Sequence, residues 1–91
     1  MEIVTVAQAK GRFPAIIAEV TADNSVVGIT VRGRLAAVLI SASDYEELTA
    51  IVRGLGGDPE QQENAARRAG ESDVVKRHLQ HFVELSPSHS R

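Results

Sequence analysis

Apolar positions change their spacing several times along the chain, and each change predicts a new element. Residues 2–6 form a short β-branched run, which predicts an opening strand. From residue 7 the apolar residues recur at helical spacing: Ala9, Phe13, Ile16, Ile17 and Val20. Gly11 and Pro14 conflict with a regular helix. Either the helix kinks at Pro14, or a tight turn at residues 7–13 precedes a helix with Pro14 in its first turn.

The middle of the chain predicts a β-hairpin. Residues 27–31 alternate apolar with small or polar side chains, as a half-buried strand does. Gly33, in the stretch Arg32-Gly33-Arg34, can adopt the positive φ of a tight hairpin turn. Residues 35–40 contain no polar side chain, so this strand is apolar on both faces. Simple alternation divides it into two sets: Leu35, Ala37 and Leu39 against Ala36, Val38 and Ile40.

Helix signals dominate the rest of the chain. Ser43 and Glu46 resemble a capping box that starts a helix, which Gly54 should end, with Gly56-Gly57 following as a hinge. Asp58 as cap and Pro59 at the first position predict a further helix. Residues 61–69 are almost wholly polar or alanine, Gly70 interrupts, and Ser72-Asp73 restart a helix.

The element order predicts an α+β protein: a small βαββα domain over residues 1–54, followed by a helical, partly disordered extension over residues 55–91. Two short helices cover only one face of a three-stranded sheet well. The doubly apolar strand therefore leaves apolar surface exposed on a monomer, and such surface usually marks an interface. A symmetric dimer that joins two sheets is the economical solution. We predict a dimer interface at Ala36, Val38 and Ile40.

Composition and charge narrow the possible functions. The 91-residue chain has a formal net charge of −2, so any argument for nucleic-acid binding must be local. Three aromatic residues are too few for base-stacking platforms. The chain has no cysteine, no membrane-length apolar run and no signal-peptide pattern at its N-terminus, which together fit a cytoplasmic protein.

Three stretches together resemble the Phd/YefM family of antitoxins. VTVAQAK (residues 4–10), with the apolar positions that follow it, is similar to the opening of that family. The resemblance continues through ITVRGRLAAVLIS (29–41) and DYEEL (44–48), and covers roughly residues 2–52. It implies a bacterial type II antitoxin that dimerises through its N-terminal domain, binds its own operator to repress its operon, and blocks a toxin with its C-terminal segment. The toxin of such a pair is commonly a RelE-like ribonuclease or a Doc-like enzyme.

The chemistry of the N-terminal domain fits contact with operator DNA. Its four basic residues form two pairs, one at the start of the first helix and one at the hairpin tip. A helix N-terminus also offers free amides to phosphate. Neutral donors add to this set, and Gln8 can read an adenine edge. We predict these DNA-binding residues: Thr5, Gln8, Lys10, Arg12, Arg32 and Arg34.

The last helix carries a narrow apolar stripe on a charged surface. Val75, Leu79 and Phe82 lie at positions i, i+4 and i+7, and Val83 is adjacent. This pattern suits recognition of a helix in a partner's groove. We predict toxin binding at these four residues, with nearby acidic residues facing a basic ribonuclease. The alternative is that this helix folds back onto its own domain.

Other functions find less support in the sequence. Ser43 near Asp44 is a helix cap rather than a nucleophile, because residues 1–54 contain no histidine to activate it. His78 and His81 have the spacing of paired metal ligands, but only Glu71 or Glu84 could add a third. We therefore expect no enzyme, no cofactor and no metal. Two alternatives stay open: a DNA-binding regulator without a toxin, and an ACT-like ligand-binding domain, which would need a final strand after its second helix.

Overall fold

The structure, a computed structural model, describes residues 1–85, with side chains as far as residue 81. Three strands and four helices follow in the order β1 (Glu2–Thr5), α1 (Val6–Asp23), β2 (Val27–Val31), β3 (Arg34–Leu39), α2 (Ala42–Leu55), α3 (Pro59–Glu71) and α4 (Asp73–Leu85). This order confirms the α+β class and the βαββα start. The chain divides into two compact units, Met1–Tyr45 and the residues from Glu46 onward. The functional boundary at residue 54 stays a prediction.

The three strands form one sheet in the order β1-β2-β3, with β1 parallel and β3 antiparallel to β2. A bulge interrupts the hairpin, because Ile29 pairs with Ala37 while the next residue, Thr30, pairs with Leu35. Ala36 is thereby left between two ladder positions. The simple alternation expected for residues 35–40 is therefore wrong, since the extra residue moves Leu35 to the face that carries Val38.

Helix α1 covers one face of the sheet, the face opposite Leu35 and Val38. Val4 and Val27 are buried there, against the α1 residues Ala9, Ile16 and Val20. The helix runs without a break from Val6 and contains Pro14 in its interior, so the second of the two alternatives, a tight turn at residues 7–13, is wrong. Proline supplies no amide to the preceding turn and costs a helix interior about 3 kcal/mol. Burial of Ile16 and Val20, each worth about 1.5–3 kcal/mol, offsets that cost.

The hairpin tip is a two-residue turn with positive φ at both positions. Arg32 has φ 54° and Gly33 has φ 80°. This is the pattern of a type I′ turn, whose twist matches that of the flanking strands. The positive φ predicted at Gly33 is confirmed, whereas that at Arg32 was not expected. A side chain in the left-handed region costs roughly 1–2 kcal/mol, so arginine is an unfavourable choice for the turn itself.

Helix α2 is capped by Ser41 rather than by Ser43, so the predicted capping residue is wrong. The Ser41 hydroxyl accepts a hydrogen bond from the amide of Asp44 at 3.1 Å and donates one to Asn24 Oδ1 at 2.7 Å. Ser43 instead donates to the same Asn24 oxygen at 3.3 Å. Asn24 is itself the left-handed C-cap of α1. These bonds join the end of α1 to the start of α2.

In the second unit, α2 and α3 pack closely where their small residues meet. A Cβ placed on Gly54 would lie 2.7 Å from the Cβ of Ala65, which is too close for two carbon atoms. Gly54 therefore serves helix packing, and α2 continues past it to Leu55. The predicted start of α3 is confirmed, because Asp58 caps it in a capping box with Gln61.

Two further sequence expectations concern the end of α3. Gly70 was expected to interrupt the helix, but α3 continues through it to Glu71. The predicted restart at Ser72-Asp73 is confirmed, since the Ser72 hydroxyl accepts the amide hydrogen of Val75 at 3.2 Å and α4 begins at Asp73. The segment after α2 is thus helical over residues 59–71 and 73–85, with the extended residue Ser72 between the two helices. It supplies no final strand, which an ACT-like domain would need.

The close approach of α2 and α3 leads to a stability prediction. Gly54→Ala should destabilise the protein by about 1–3 kcal/mol, because the added methyl group forces the helices apart. Gly70→Ala is the matched control: its Cβ would meet nothing within 4 Å, and alanine should be neutral or stabilising by up to about 1 kcal/mol. Urea unfolding of both variants measures the difference. Equal stabilities would contradict the packing role of Gly54.

Candidate functional site

The start of α1 and the hairpin tip belong to the same edge of the sheet. Strands β1 and β2 are parallel, and Thr5, at the end of β1, pairs with Thr30, one residue before the end of β2. The Thr30 hydroxyl also donates to the carbonyl oxygen of Val4 at 3.4 Å. Because α1 begins directly after β1, its first turn and the hairpin tip lie at this common edge. The register thus places the start of α1 and the hairpin tip, which are more than 20 residues apart in sequence, at one edge.

Three of the four cations in the Met1–Tyr45 unit are exposed and form no ion pair in the described part of the chain. They are Lys10, Arg32 and Arg34. Lys10 also borders an open apolar hollow of about 420 Å³, whose other lining residues are Val6, Ala9, Phe13 and Ile29. No carboxylate lines that hollow, so no residue of its lining competes with an anionic partner for the ammonium group.

Arg12 differs from the other three cations because two carboxylates hold it. Its Nη1 lies 3.1 Å from Glu2 Oε2, and its Nη2 lies 3.8 Å from Glu19 Oε1. Glu2 is the first residue of β1, and Glu19 lies two turns further along α1. All three side chains are partly exposed, so the pairs are solvent-screened and weak. Any phosphate that approaches Arg12 competes with these carboxylates.

Thr5 and Gln8 form the capping box of α1. The Thr5 hydroxyl accepts the Gln8 amide hydrogen at 3.1 Å, and Gln8 Oε1 accepts the Thr5 amide hydrogen at 2.9 Å. The carboxamide oxygen of Gln8 is therefore engaged, while its NH₂ group can still donate. Reading an adenine edge needs an acceptor and a donor together. Such a contact would require Gln8 to give up its bond to the helix N-terminus.

The sheet face opposite α1 carries an exposed apolar patch. Ile3 and Leu35 close over Gly28, since a Cβ there would lie within 2.9 Å of both side chains. Val38 pairs with Gly28 across the hairpin and is 46% exposed. Among the predicted interface residues, Ala36 is also exposed and Ile40 is half-buried. We name Ile3, Leu35 and Val38 the sheet patch; its role as a dimer interface stays a prediction.

An ion pair joins α2 to α3 in the second unit. The Arg68 guanidinium donates to both carboxylate oxygens of Glu47, with Nε at 3.2 Å from Oε2. This hydrogen bond lowers the pKa of Glu47 from its ordinary value of 4.5 and raises that of Arg68. The bidentate geometry fixes the two helices in register. Helices α2 and α3 are therefore held together by this ion pair as well as by the close packing at Gly54.

The predicted toxin-binding stripe lies on α4. Leu79 is 56% exposed and Val75 is half-buried. The side chains of Phe82 and Val83 lie outside the described residues. The rings of His78 and His81 meet edge to face, with centroids 6.4 Å apart. In the described part of the chain, no group of three or more potential ligands can hold a metal ion. None of the helices in residues 1–85 is long and apolar enough to cross a membrane.

The sequence reasoning missed several residues that shape these surfaces. The Arg12–Glu19 pair has a seven-residue helical spacing, which could have been found from the sequence. Glu2, in contrast, reaches Arg12 only because α1 folds back over β1. Arg68 and Glu47 are 21 positions apart and meet only in the folded helix pair. Such tertiary pairs carry no local sequence signal.

Comparison with known proteins agrees with this architecture. The family model "Antitoxin Phd_YefM, type II toxin-antitoxin system" matches residues 1–78. The Mycobacterium tuberculosis YefM antitoxin, whose crystal structure is known, is 31% identical in sequence to this chain. The two structures superpose with a TM-score of 0.56 over 77% of this chain and 98% of that chain. A chain of the M. tuberculosis RelBE2 toxin–antitoxin complex is 22% identical in sequence, with a TM-score of 0.60 over 94% of this chain and 97% of that chain. At this identity the match shows that the two chains share a fold.

Among curated proteins the comparison gives no match. The family match nevertheless covers far more than half of the chain, and the YefM structure adds sequence identity across most of it. The chain therefore belongs to the Phd/YefM family of antitoxins of type II toxin–antitoxin systems.

Proposed function

We propose that this antitoxin neutralises a cognate toxin by direct binding and represses its own operon through operator DNA. The observation that carries the proposal is that the cationic surface and the apolar positions of α4 belong to different compact units of the chain. The cationic edge belongs to Met1–Tyr45, whereas α4, with its exposed Leu79, belongs to the unit from Glu46 onward. One chain can thus bind a polyanion and an apolar groove through separate segments. No catalytic role is proposed for any of these residues.

The DNA-binding surface of this proposal consists of the edge where α1 begins and the hairpin turns. Lys10, Arg32 and Arg34 contact phosphates, and Arg12 adds to them once its carboxylates are displaced. Thr5 and Gln8 contribute the neutral donors that their capping bonds leave available. In a homodimer these clusters double, which provides enough charge for a salt-dependent contact with DNA. The strained Arg32 supports this role, because the turn itself favours glycine or asparagine.

The homodimer of this proposal forms through the sheet patch together with Ala36 and Ile40. A symmetric interface places the same apolar residues of two protomers against each other. It covers the face that α1 leaves open. It also duplicates the DNA-binding edge, as a palindromic operator requires.

The toxin-binding segment of this proposal begins after residue 54 and includes α3 and α4. Its anchors are Val75, Leu79, Phe82 and Val83. The partner is a RelE-like ribonuclease or a Doc-like enzyme encoded beside this antitoxin, and both proteins act in the bacterial cytoplasm. Similarity of fold to a chain of the RelBE2 complex supports a toxin partner. The alternative of a DNA-binding regulator without a toxin predicts no such neighbouring gene.

The DNA-binding part of the proposal is tested by removing two cations from the full chain. Lys10→Ala combined with Arg32→Gly should weaken binding to DNA from upstream of its own reading frame. Glycine is chosen because it adopts the positive φ of residue 32 without strain. A dimer loses four charges, so the slope of log K against log salt should become shallower by about 3–4. Mobility shifts at several salt concentrations measure both effects.

The matched control removes two cations from the other unit. Arg53→Ala combined with Lys76→Ala changes the net charge equally, and both side chains are exposed. This variant should keep the salt slope within about one unit of the wild type. If both double variants lose the same slope, overall charge drives binding, and the assignment of the sheet edge is wrong.

A further inference from the structure

The charges of the Met1–Tyr45 unit balance, although the unit is proposed to bind a polyanion. It contains four basic and four acidic residues: Lys10, Arg12, Arg32 and Arg34 against Glu2, Glu19, Asp23 and Asp44. Net charge therefore supplies no attraction to DNA. What matters is which cations are available and which are already occupied by carboxylates.

Two of the four carboxylates occupy one cation. Glu2 takes the Nη1 side of the Arg12 guanidinium and Glu19 takes the Nη2 side, so both terminal nitrogens face an anion. A phosphate group uses the same planar fork of donors as a carboxylate does. Arg12 can therefore contact phosphate only after at least one of these carboxylates moves away.

We propose that Glu2 and Glu19 restrain DNA binding by holding Arg12 in competition with operator phosphates. This inference rests on the proposed DNA-binding function. Glu2 and Glu19 act as positioning residues, because they set the availability of Arg12 without contacting DNA themselves. The pairs are partly exposed, so the restraint lowers affinity without abolishing it. It makes Lys10, Arg32 and Arg34 the main phosphate contacts of the wild-type chain.

The test compares full-length variants on DNA from upstream of the antitoxin's own reading frame. Glu2→Gln combined with Glu19→Gln should bind about tenfold more tightly than wild type at about 0.1 M salt. Its salt slope should steepen by about 1.8, because two Arg12 side chains per dimer become available. Adding Arg12→Ala to this variant should cancel both changes. Arg12→Ala alone should alter the wild-type slope by less than about one unit.

Asp23→Asn is the matched control for charge removal. Asp23 is an exposed carboxylate at the last position of α1, and residues 1–85 show no ion pair for it. We expect this substitution to raise affinity less than Glu2→Gln alone does. Equal gains from the two single substitutions would mean that removal of negative charge alone raises affinity, which contradicts the restraint.

The remaining outcomes separate this inference from the function on which it rests. Wild-type binding with no gain in the Glu2→Gln/Glu19→Gln chain overturns the restraint and leaves operator binding intact. A gain that persists after Arg12→Ala also overturns the restraint. Failure of every variant and of the wild type to bind any DNA overturns the proposed repressor function, and this inference with it.

Discussion

Val38→Asp should convert the proposed homodimer into a monomer, with an increase in the dimer dissociation constant of more than about 100-fold. Val38 belongs to the sheet patch, is 46% exposed in the single chain, and is proposed to become buried between protomers. A carboxylate buried there without a partner costs several kcal/mol, and each 1.4 kcal/mol corresponds to a factor of ten. Sedimentation at micromolar concentration measures the oligomeric state.

Val31→Asp is the matched control for this change. Val31 is also a valine in the same hairpin and is 44% exposed, but strand alternation places it on the face with Val27 and Ile29. This variant should remain dimeric. If Val31→Asp dissociates the dimer and Val38→Asp does not, the interface lies on the α1 side of the sheet, which contradicts the proposed interface.

The second large effect is expected at α4. Leu79→Ala combined with Phe82→Ala should raise the toxin dissociation constant by about 100-fold or more. Each apolar side chain buried on a partner contributes about 1.5–3 kcal/mol before ordering costs. Operator binding should survive the double change, because the proposed DNA-binding edge belongs to the other unit. Titration calorimetry with the toxin and a mobility shift with operator DNA measure the two activities.

Gln80→Ala provides the control on the same helix. Gln80 is exposed and polar and is not part of the apolar stripe. Its replacement keeps helix propensity, so toxin affinity should change by less than about threefold. If the double alanine variant binds toxin as tightly as this control does, the stripe of α4 is not the anchor.

Local patterns predicted the elements well, and tertiary contacts explain what they missed. Alternation at residues 27–31 and Gly33 predicted the hairpin, because strand period and turn geometry are local properties. Pro14 left two alternatives open, a kink in α1 or a tight turn over residues 7–13, and the tight turn does not occur. Burial of Ile16 and Val20 against the sheet outweighs the local cost of proline, and that contribution depends on the whole fold.

For the candidate surfaces too, local sequence patterns revealed the residues and only the tertiary fold revealed how they are arranged. Lys10 and Arg32 were recognisable as local basic clusters, but their common edge follows from the parallel pairing of β1 with β2. The occupation of Arg12 by Glu2 depends on the path of α1 over β1. The bulge at Ala36 likewise changes which apolar residues share a face, and nothing in an uninterrupted apolar run marks its position.

The most direct test of the proposed function is neutralisation of the neighbouring gene product. The purified product is added to a cell-free translation reaction until synthesis stops, and the full-length chain is then titrated in. Translation should recover as the antitoxin approaches a fixed stoichiometric ratio to the toxin, and the Leu79→Ala/Phe82→Ala chain should require a large excess. Continued inhibition in the presence of excess wild-type chain would contradict the proposal that this protein neutralises that toxin by direct binding.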